Sequence, residues 1–385
     1  MHVCLVYDCL FPYTVGGAER WYRNLAEALA SEGHDVTYLT LRQWDSRDKP
    51  ALLGARVAVA GPRMRLYTSS GRRRTLPPLV FGAGVLWHLL RHGRRYDVVH
   101  LSSFPYFSVL AASLAGRCLR FRLVVDWFEF WTRGYWRDYL GPLGGWIGWK
   151  VQGRCLRVRQ RAFCFARLTE ARLRAEAVRG DVTLLEGLYA GPDEPDDEYA
   201  AEPLVVFAGR LIPEKRAVAI VPALAQARVR ISDLRARILG DGPERPALLA
   251  AITSHGLTEA VEAPGRVSVQ EVESTLGRAL CLVLPSRREG YGLVIVEAAA
   301  RGTPSVVVRA PDNAAVELVE DGVNGVVVES ASPEDLAGAI LAVYDGGSDL
   351  RTSTAAWFAR NAGRLSLAAS LERVVVTYTE PEINQ

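Results

Sequence analysis

Lysine is scarce. Of 46 basic residues in the 385-residue chain, only Lys49, Lys150 and Lys215 are lysines, so arginine is the default cation. Cysteine is sparse and unpatterned. Cys4, Cys9, Cys118, Cys155, Cys164 and Cys281 form no C-x-x-C pair and no regular framework, which suits free thiols in a reducing cytosol. No run reaches the roughly 20 apolar residues that span a bilayer. The nearest approach, LPPLVFGAGVLWHLL (76–90), lies between Arg72, Arg73, Arg74 and Arg91, Arg94, Arg95. It reads as a helix buried in a first domain or as an interfacial membrane anchor. The opening MHVCLVYDCLF lacks a basic leader and is interrupted by Asp8, so it reads as a first strand and not a signal peptide. The dinucleotide fingerprint G-x-G-x-x-G is missing as well: FGAGVLWH has two glycines, no third and no strand before it, which disfavours a dehydrogenase. A net charge of +3 is too small to argue for nucleic acid, and 49% hydrophobic with 23% charged residues describes an ordinary globular protein.

What is present is an alternation. The length suits about two domains of ~150–200 residues each. In the first half, HVCLVYD (2–8), DVTYLTL (35–41), and parts of YDVVHLSS (96–103) and FRLVVDWFEFW (121–131) read as strands, with a helix at 16–34. Then YAGPDEPDDEYAAEP (189–203), acidic and with three prolines, reads as a linker between residues 1–188 and 204–364. The second half resumes with strands at 204–210, 236–242, 280–286, 304–308 and 325–329. Ser268 with Glu271 forms a capping box, and Ser332-Pro333 opens a later helix. The tail is helical, and residues 365–385 are a candidate to pack back on the first domain. Strands alternating with helices predict an α/β fold: two doubly wound, Rossmann-like domains whose parallel sheets present their carboxyl ends to a shared cleft.

The informative residues should therefore follow strands. Arg210 and Lys215 lie in GRLIPEKR (209–216), between a strand and a helix, where a diphosphate would find two cations and free amides. Gly16 and Gly17 open the first helix and would let a phosphate approach the backbone. In PSRREGYGLVIVE (285–297), Glu289 falls in a Gly-rich turn and Glu297 in the helix that follows. The amides of Gly292 and Leu293 would take phosphate between the two carboxylates. Each charged residue also has a plainer reading as a solvated loop or paired helix charge. Five of nine tryptophans crowd into DWFEFWTRGYWRDYLGPLGGWIGW (126–149), a stretch suited either to stacking on an acceptor or to core packing. Asp126 and Glu129 could there bond an acceptor hydroxyl.

GRLIPEKR, GDGPE, PSRREGYGLVIVEAAARGTPSVV and DGVNGVVV, in that order, closely resemble the C-terminal half of the family 4 retaining glycosyltransferases, with the GT-B fold. Glu289 and Glu297 match that family's E-x7-E motif. The resemblance implies that Arg210 and Lys215 hold a donor diphosphate, along the loop through Gly290, Tyr291, Gly292 and Leu293. It implies that Glu297 bonds the ribose and that Glu289 is the catalytic residue beside the transferred sugar. The implied reaction retains anomeric configuration without a protein nucleophile and needs no metal and no cofactor beyond the sugar nucleotide. The acceptor would be a small molecule, a glycan or a lipid-linked glycan, met in the cytoplasm or at the inner membrane face. Two departures stand out: Arg216 replaces the glycine of the family's EKG, and Ser102 replaces a histidine two places after His100. His100 and Ser102 are thus the acceptor-side candidates of that strand. A non-catalytic sugar-nucleotide-binding protein of the same fold is the alternative.

Overall fold

HVCLV has no helical periodicity and no polar face, as a strand covered on both sides requires. In the computed structural model, which describes residues 1–45, 50, 52–68, 71–195 and 201–380, it is β1 (His2–Val6), buried from Val3 onward. The chain divides into two units: Met1–Thr68 with Arg72–Leu185 and the residues from Ser370 on, and a second centred on Glu186–Ala369.

In the first unit β1 leads through α1 (Gly17–Ser31) to β2 (Asp35–Leu41) and β3 (Arg56–Gly61). There follow α2 (Leu76–His92), β4 (Val98–Ser102), α3 (Tyr106–Ala115) and β5 (Arg122–Trp127). The unit continues with α4 (Arg133–Leu156, broken at Gly141 before Pro142), β6 (Arg161–Cys164), α5 (Arg167–Ala175) and β7 (Val182–Leu184). All seven strands are parallel, in the order β3-β2-β1-β4-β5-β6-β7. Strand order reverses between β1 and β4. Right-handed crossovers then put α2, α3 and α4 on one face of the sheet and α1 on the other.

The second unit repeats the scheme. It runs β8 (Leu204–Ala208), α6 (Ile220–Ala227), β9 (Arg235–Leu239), α7 (Arg245–Ser254), β10 (Val261–Gly265), α8 (Val269–Arg278) and β11 (Cys281–Leu284). A two-residue β12 (Arg288–Glu289) precedes α9 (Leu293–Ala299), β13 (Ser305–Val308), β14 (Asp312–Asn313), β15 (Gly325–Val328) and α10 (Pro333–Leu365, broken at Gly347). Its main sheet is ordered β10-β9-β8-β11-β13-β15, reversing between β8 and β11. Helix α11 (Leu367–Thr379) follows, and from Ser370 it belongs to the first unit.

Besides the two-residue β12 and β14, four strands, β3, β6, β7 and β10, are additional to those read from sequence. Three of them are sheet edges, where one-sided burial and short length weaken the apolar signal. Pro264 within β10 obscures it further, and an edge is where a strand tolerates proline. The division between units also differs from the expected linker. Tyr189 is buried in the second unit, where its N–H donates to Leu365 O (3.1 Å) and its carbonyl accepts from Leu367 N (2.7 Å). Its ring lies edge-on to Phe358 at 5.4 Å. The break thus falls at Leu185–Glu186, and residues 196–200 of the expected linker lie outside the described residues.

A buried polar clasp joins four elements of the first unit. His100 Nε2 bonds Asp126 Oδ1 (2.8 Å), His100 Nδ1 meets Tyr378 Oη (2.6 Å), and Trp21 Nε1 donates to Asp126 Oδ2 (2.8 Å). All four side chains are excluded from water. The clasp ties α1 and α11 to β4 and β5, so the C-terminal helix is part of this core. Helix α2 is buried on one side only: Phe81, Val85 and Leu89 face inward, while Leu76, Leu79, Trp87 and Leu90 stay exposed. The expectation of a buried helix holds for half its circumference. No described helix is long and apolar enough to cross a membrane.

Removing one partner of a buried network strands the others. Asp126→Ala should therefore cost about 3–5 kcal/mol of the first unit's stability. Tyr378→Phe should cost about 1 kcal/mol; urea unfolding followed by Trp fluorescence checks both. His88, bonded to Tyr96 Oη at 2.8 Å, has its pKa held down to about 4 by burial and by His92. Its ordinary pKa is near 6.5, so the unfolded chain takes up the proton first on acidification. The His88 contribution is complete above about pH 6.5 and declines as pH falls toward 4. Unfolding midpoints should fall across that window, and less steeply in His88→Gln.

Candidate active site

In an open parallel sheet, ligands settle outside the carboxyl ends of strands where the strand order reverses. In the second unit that point lies between β8 and β11, and the loops following these strands are 209–216 and 285–292. One charged residue from each meets the other: Lys215 Nζ is ion-paired with Glu289 Oε1. Both side chains are largely covered, 17% and 10% exposed, so the pair sits at reduced dielectric and each charge relies on the other. Ser286 Oγ also donates to Glu289 Oε1 at 2.9 Å.

Backbone bonds lock these loops. Arg287 N donates to Glu214 O (2.9 Å), stitching one loop to the other. Arg288 and Glu289 pair in parallel with Asp312 and Asn313. Buried Asn313 donates through Nδ2 to Ser286 O (3.0 Å) and Val308 O (2.7 Å), while its Oδ1 accepts from Ala315 N (3.1 Å). Asn313 and Ser286 thus position Glu289, a role that no sequence spacing marks because their partners are mostly backbone. Gly240 shows why the GDG stretch is invariable in shape. It has φ +137°, and a Cβ there would lie 1.8 Å from the carbonyl oxygen of Gly209, so this loop packs directly on the cationic one.

The other residues expected at this site divide. Gly292 has φ +101°, and a Cβ would meet that of Ala315 at 2.8 Å, so backbone and packing alone require glycine there. Gly290 lies in the same turn, and Leu293 opens α9, whose seven residues supply little macrodipole. Tyr291 turns its hydroxyl to Glu186 O, and burial pushes its pKa upward; here it anchors a loop. Glu297 is half-buried on α9, and Arg301 Nη1 donates to its carbonyl at 2.8 Å. Arg210 is exposed at the end of its loop. A hollow of about 460 Å³ adjoins this loop, lined by Pro213, Arg216, Val218, Ala219, Glu244 and Ala331. Lys215 and Glu289 are not among its walls.

In the first unit, the reversal between β1 and β4 places Asp8 and the Gly16-Gly17 turn at the corresponding position. Fully buried Asp8 is ion-paired with Arg73. The Arg73 guanidinium lies over Phe104 (5.3 Å) and Tyr67 (5.1 Å). Neither Asp8 nor Arg73 was singled out in the sequence; Asp8 breaking an apolar run was the available signal. Glu19 folds back over Gly16, where a Cβ would touch its carboxylate, whereas a Cβ on Gly17 meets nothing within 4 Å.

Of the acceptor-side candidates, His100, Ser102 and Asp126 are buried and Glu129 is partly exposed. His100 and Asp126 bond each other, Ser102 is 1% exposed, and none reaches solvent, because their side chains are enclosed by α1, α11 and the sheet. Glu129 accepts from Trp131 Nε1 at 3.1 Å. The aromatic stretch splits: Trp127, Phe130 and Trp136 are core, while Trp131, Tyr135 and Tyr139 form a half-buried cluster with centroids 4.7–5.9 Å apart. Among the described residues, no group of three His, Cys, Asp or Glu is placed to hold a metal ion.

Residues 16–185 match the model of a glycosyl transferase 4-like domain, and residues 194–357 that of the glycosyl transferases group 1. The chain belongs to this glycosyltransferase family. An alpha-D-kanosaminyltransferase of Streptomyces kanamyceticus is 32% identical over 179 residues, 46% of either chain. The matched region thus spans just under half the length of that relative. Among solved structures, a sucrose-phosphate synthase from Thermosynechococcus elongatus superposes with a TM-score of 0.78 at 18% identity, covering 98% of both chains. Anabaena HepE in complex with UDP gives 0.71 at 18% identity, covering 98% of this chain and 99% of that one. These likenesses show the GT-B fold.

The departure at Arg216 has a physical cost. Arg216 has φ +51° and ψ +32°, the left-handed region that favours glycine. Burial and neighbouring Arg287 also press its pKa downward. A non-glycine residue in this conformation costs roughly 1–2 kcal/mol. Arg216→Gly should therefore be more stable than Arg216→Ala, which keeps the strain, by about 1 kcal/mol in chemical denaturation.

Proposed function

We propose that this glycosyltransferase moves a sugar from a nucleotide-diphosphate donor to a hydroxyl of an acceptor, with retention of anomeric configuration and without a divalent ion. The observation that carries this is the Lys215–Glu289 pair at the strand-order reversal of the second sheet. A cation and a carboxylate held against each other at a ligand position are a two-part site awaiting a ligand with an anionic part and a hydroxylated part. When a diphosphate arrives, Lys215 exchanges its carboxylate for phosphate oxygens. Glu289 is thereby released to accept hydrogen bonds from the sugar. Arg210 adds a second cation on the same loop, and the amides of Gly292 and Leu293 add neutral donors.

The chemistry follows from that charge arrangement. As the glycosidic C–O bond breaks, negative charge accumulates on the departing diphosphate and positive charge on the sugar ring. Lys215 and Arg210 stabilise the first, and Glu289 the second. The acceptor oxygen attacks from the face the diphosphate leaves, and a phosphate oxygen takes its proton, so configuration is retained with no enzyme nucleophile. Glu297 on α9 is assigned to the ribose. On the first unit, the Trp131–Tyr135–Tyr139 cluster offers ring faces to an acceptor. HepE is described in complex with UDP, so UDP-sugars are the first donors to try.

A mass-spectrometric screen of UDP-, GDP-, ADP- and TDP-sugars should show slow donor hydrolysis with no acceptor present, unchanged by EDTA. Tight binding with no turnover across the whole panel would instead leave a sugar-nucleotide-binding protein. With the donor known, Lys215→Ala should weaken nucleotide diphosphate binding by roughly 1.5–3 kcal/mol while sparing the free nucleoside. Glu289→Gln should lower kcat by about a hundredfold or more with little change in donor affinity. Equal losses in both quantities would remove Glu289 from the reacting sugar.

A further inference from the structure

Helices α2, α3 and α4 form one layer on the same face of the first sheet. Gly82 of α2 packs so closely that a Cβ there would meet Phe107 Cβ at 2.6 Å, and α3 in turn packs on α4. The outer surface of this layer carries exposed apolar residues. On α2, Leu76, Leu79, Trp87 and Leu90 are 58%, 47%, 68% and 55% exposed; on α4, Leu143 and Trp146 are 73% and 51% exposed. The α2 residues recur at helical spacing, so they form a stripe opposite the buried Phe81, Val85 and Leu89. Isolated exposed leucines are ordinary, but a stripe of this size, with another helix of the same layer adding a second exposed tryptophan, calls for an occupant.

Charge identifies the occupant. Residues 72–95, 106–120 and 133–159 contain thirteen arginines and one lysine against a single acid, Asp138, in a chain whose net charge is only +3. Arg72, Arg74, Arg91, Arg94 and Arg95 are exposed at the two ends of α2. We infer that this face docks on an anionic lipid surface, α2 and α4 lying in the plane of the interface with Trp87 and Trp146 among the acyl-chain boundary and the arginines at the headgroups. An amphipathic helix with a Trp/Leu face and basic flanks has the form such binding requires. A second copy of the chain fits less well, because self-association through this face would set the arginines against one another. Nucleic acid would satisfy the arginines and leave the tryptophans in water.

The test reads binding and not turnover, so it stands apart from the transferase assignment. The full chain is mixed with vesicles of phosphatidylcholine alone or with about one-third phosphatidylglycerol, and floated at low and high salt. Wild type should float with the anionic vesicles at low salt, with a blue-shifted Trp emission, and far less with neutral vesicles. Leu79→Ser/Trp87→Ser/Leu90→Ser should weaken binding by about tenfold or more. Arg91→Ala/Arg94→Ala/Arg95→Ala should also weaken it and flatten its salt dependence. Circular dichroism melts matching wild type would show that these surface changes leave the fold intact. Protein that stays in solution with anionic vesicles at low salt overturns the inference. So does undiminished binding by the apolar variant, or a dimer in sedimentation velocity that Trp87→Ser dissolves.

Discussion

A lysine and a glutamate, both mostly shielded from water, neutralise each other where the second sheet reverses its strand order. Neither charge could remain in that position alone, since an unpaired ion at reduced dielectric is costly. The surrounding loops are organised around keeping the two within reach. Asn313, itself held by Val308 O and Ala315 N, pins the glutamate loop through Ser286 O, and the Arg287–Glu214 backbone contact holds that loop to the lysine loop. Gly240 allows a third loop to close on the second. The result is a preorganised pair whose Coulomb interaction can be exchanged for ligand contacts, an arrangement suited to a substrate that is anionic at one end and hydroxylated at the other.

The first unit follows the same topological rule with different contents. Its reversal point holds Asp8 with Arg73, flanked by aromatic rings, and the Gly16-Gly17 turn. Its other polar group, the His100–Asp126–Tyr378–Trp21 clasp, lies wholly inside and integrates the C-terminal helix. The two sets occupy neighbouring strands and resemble each other as lists of residue types. Hydrogen-bond saturation marks the clasp: each Asp126 oxygen and both His100 nitrogens already have protein partners. Arg216 is a different case, a residue held in a backbone conformation that favours glycine, beside the cationic loop.

The doubly wound architecture was legible because fully buried parallel strands need unbroken apolar runs, and short runs separated by helical stretches admit few other folds. The charged loops that bring Lys215 and Glu289 together were legible from motif order, since those loops keep fixed spacings from their strands. Edge strands such as β10 escaped notice because one-sided burial leaves a weak pattern and Pro264 blurs it. Asn313 was invisible because its partners are backbone atoms, which carry no residue signature.

The sequence by itself determined the alternation of strand and helix, the positions of the charged loops after β8 and β11, and the basic, acid-free flanks of α2. Only the tertiary structure decided that Lys215 and Glu289 share one ion pair, that His100 and Asp126 face inward, and that half of α2 faces water. The reason is physical: periodicity along a chain reports which residues share a face. What that face meets depends on neighbours brought from far away by the crossovers.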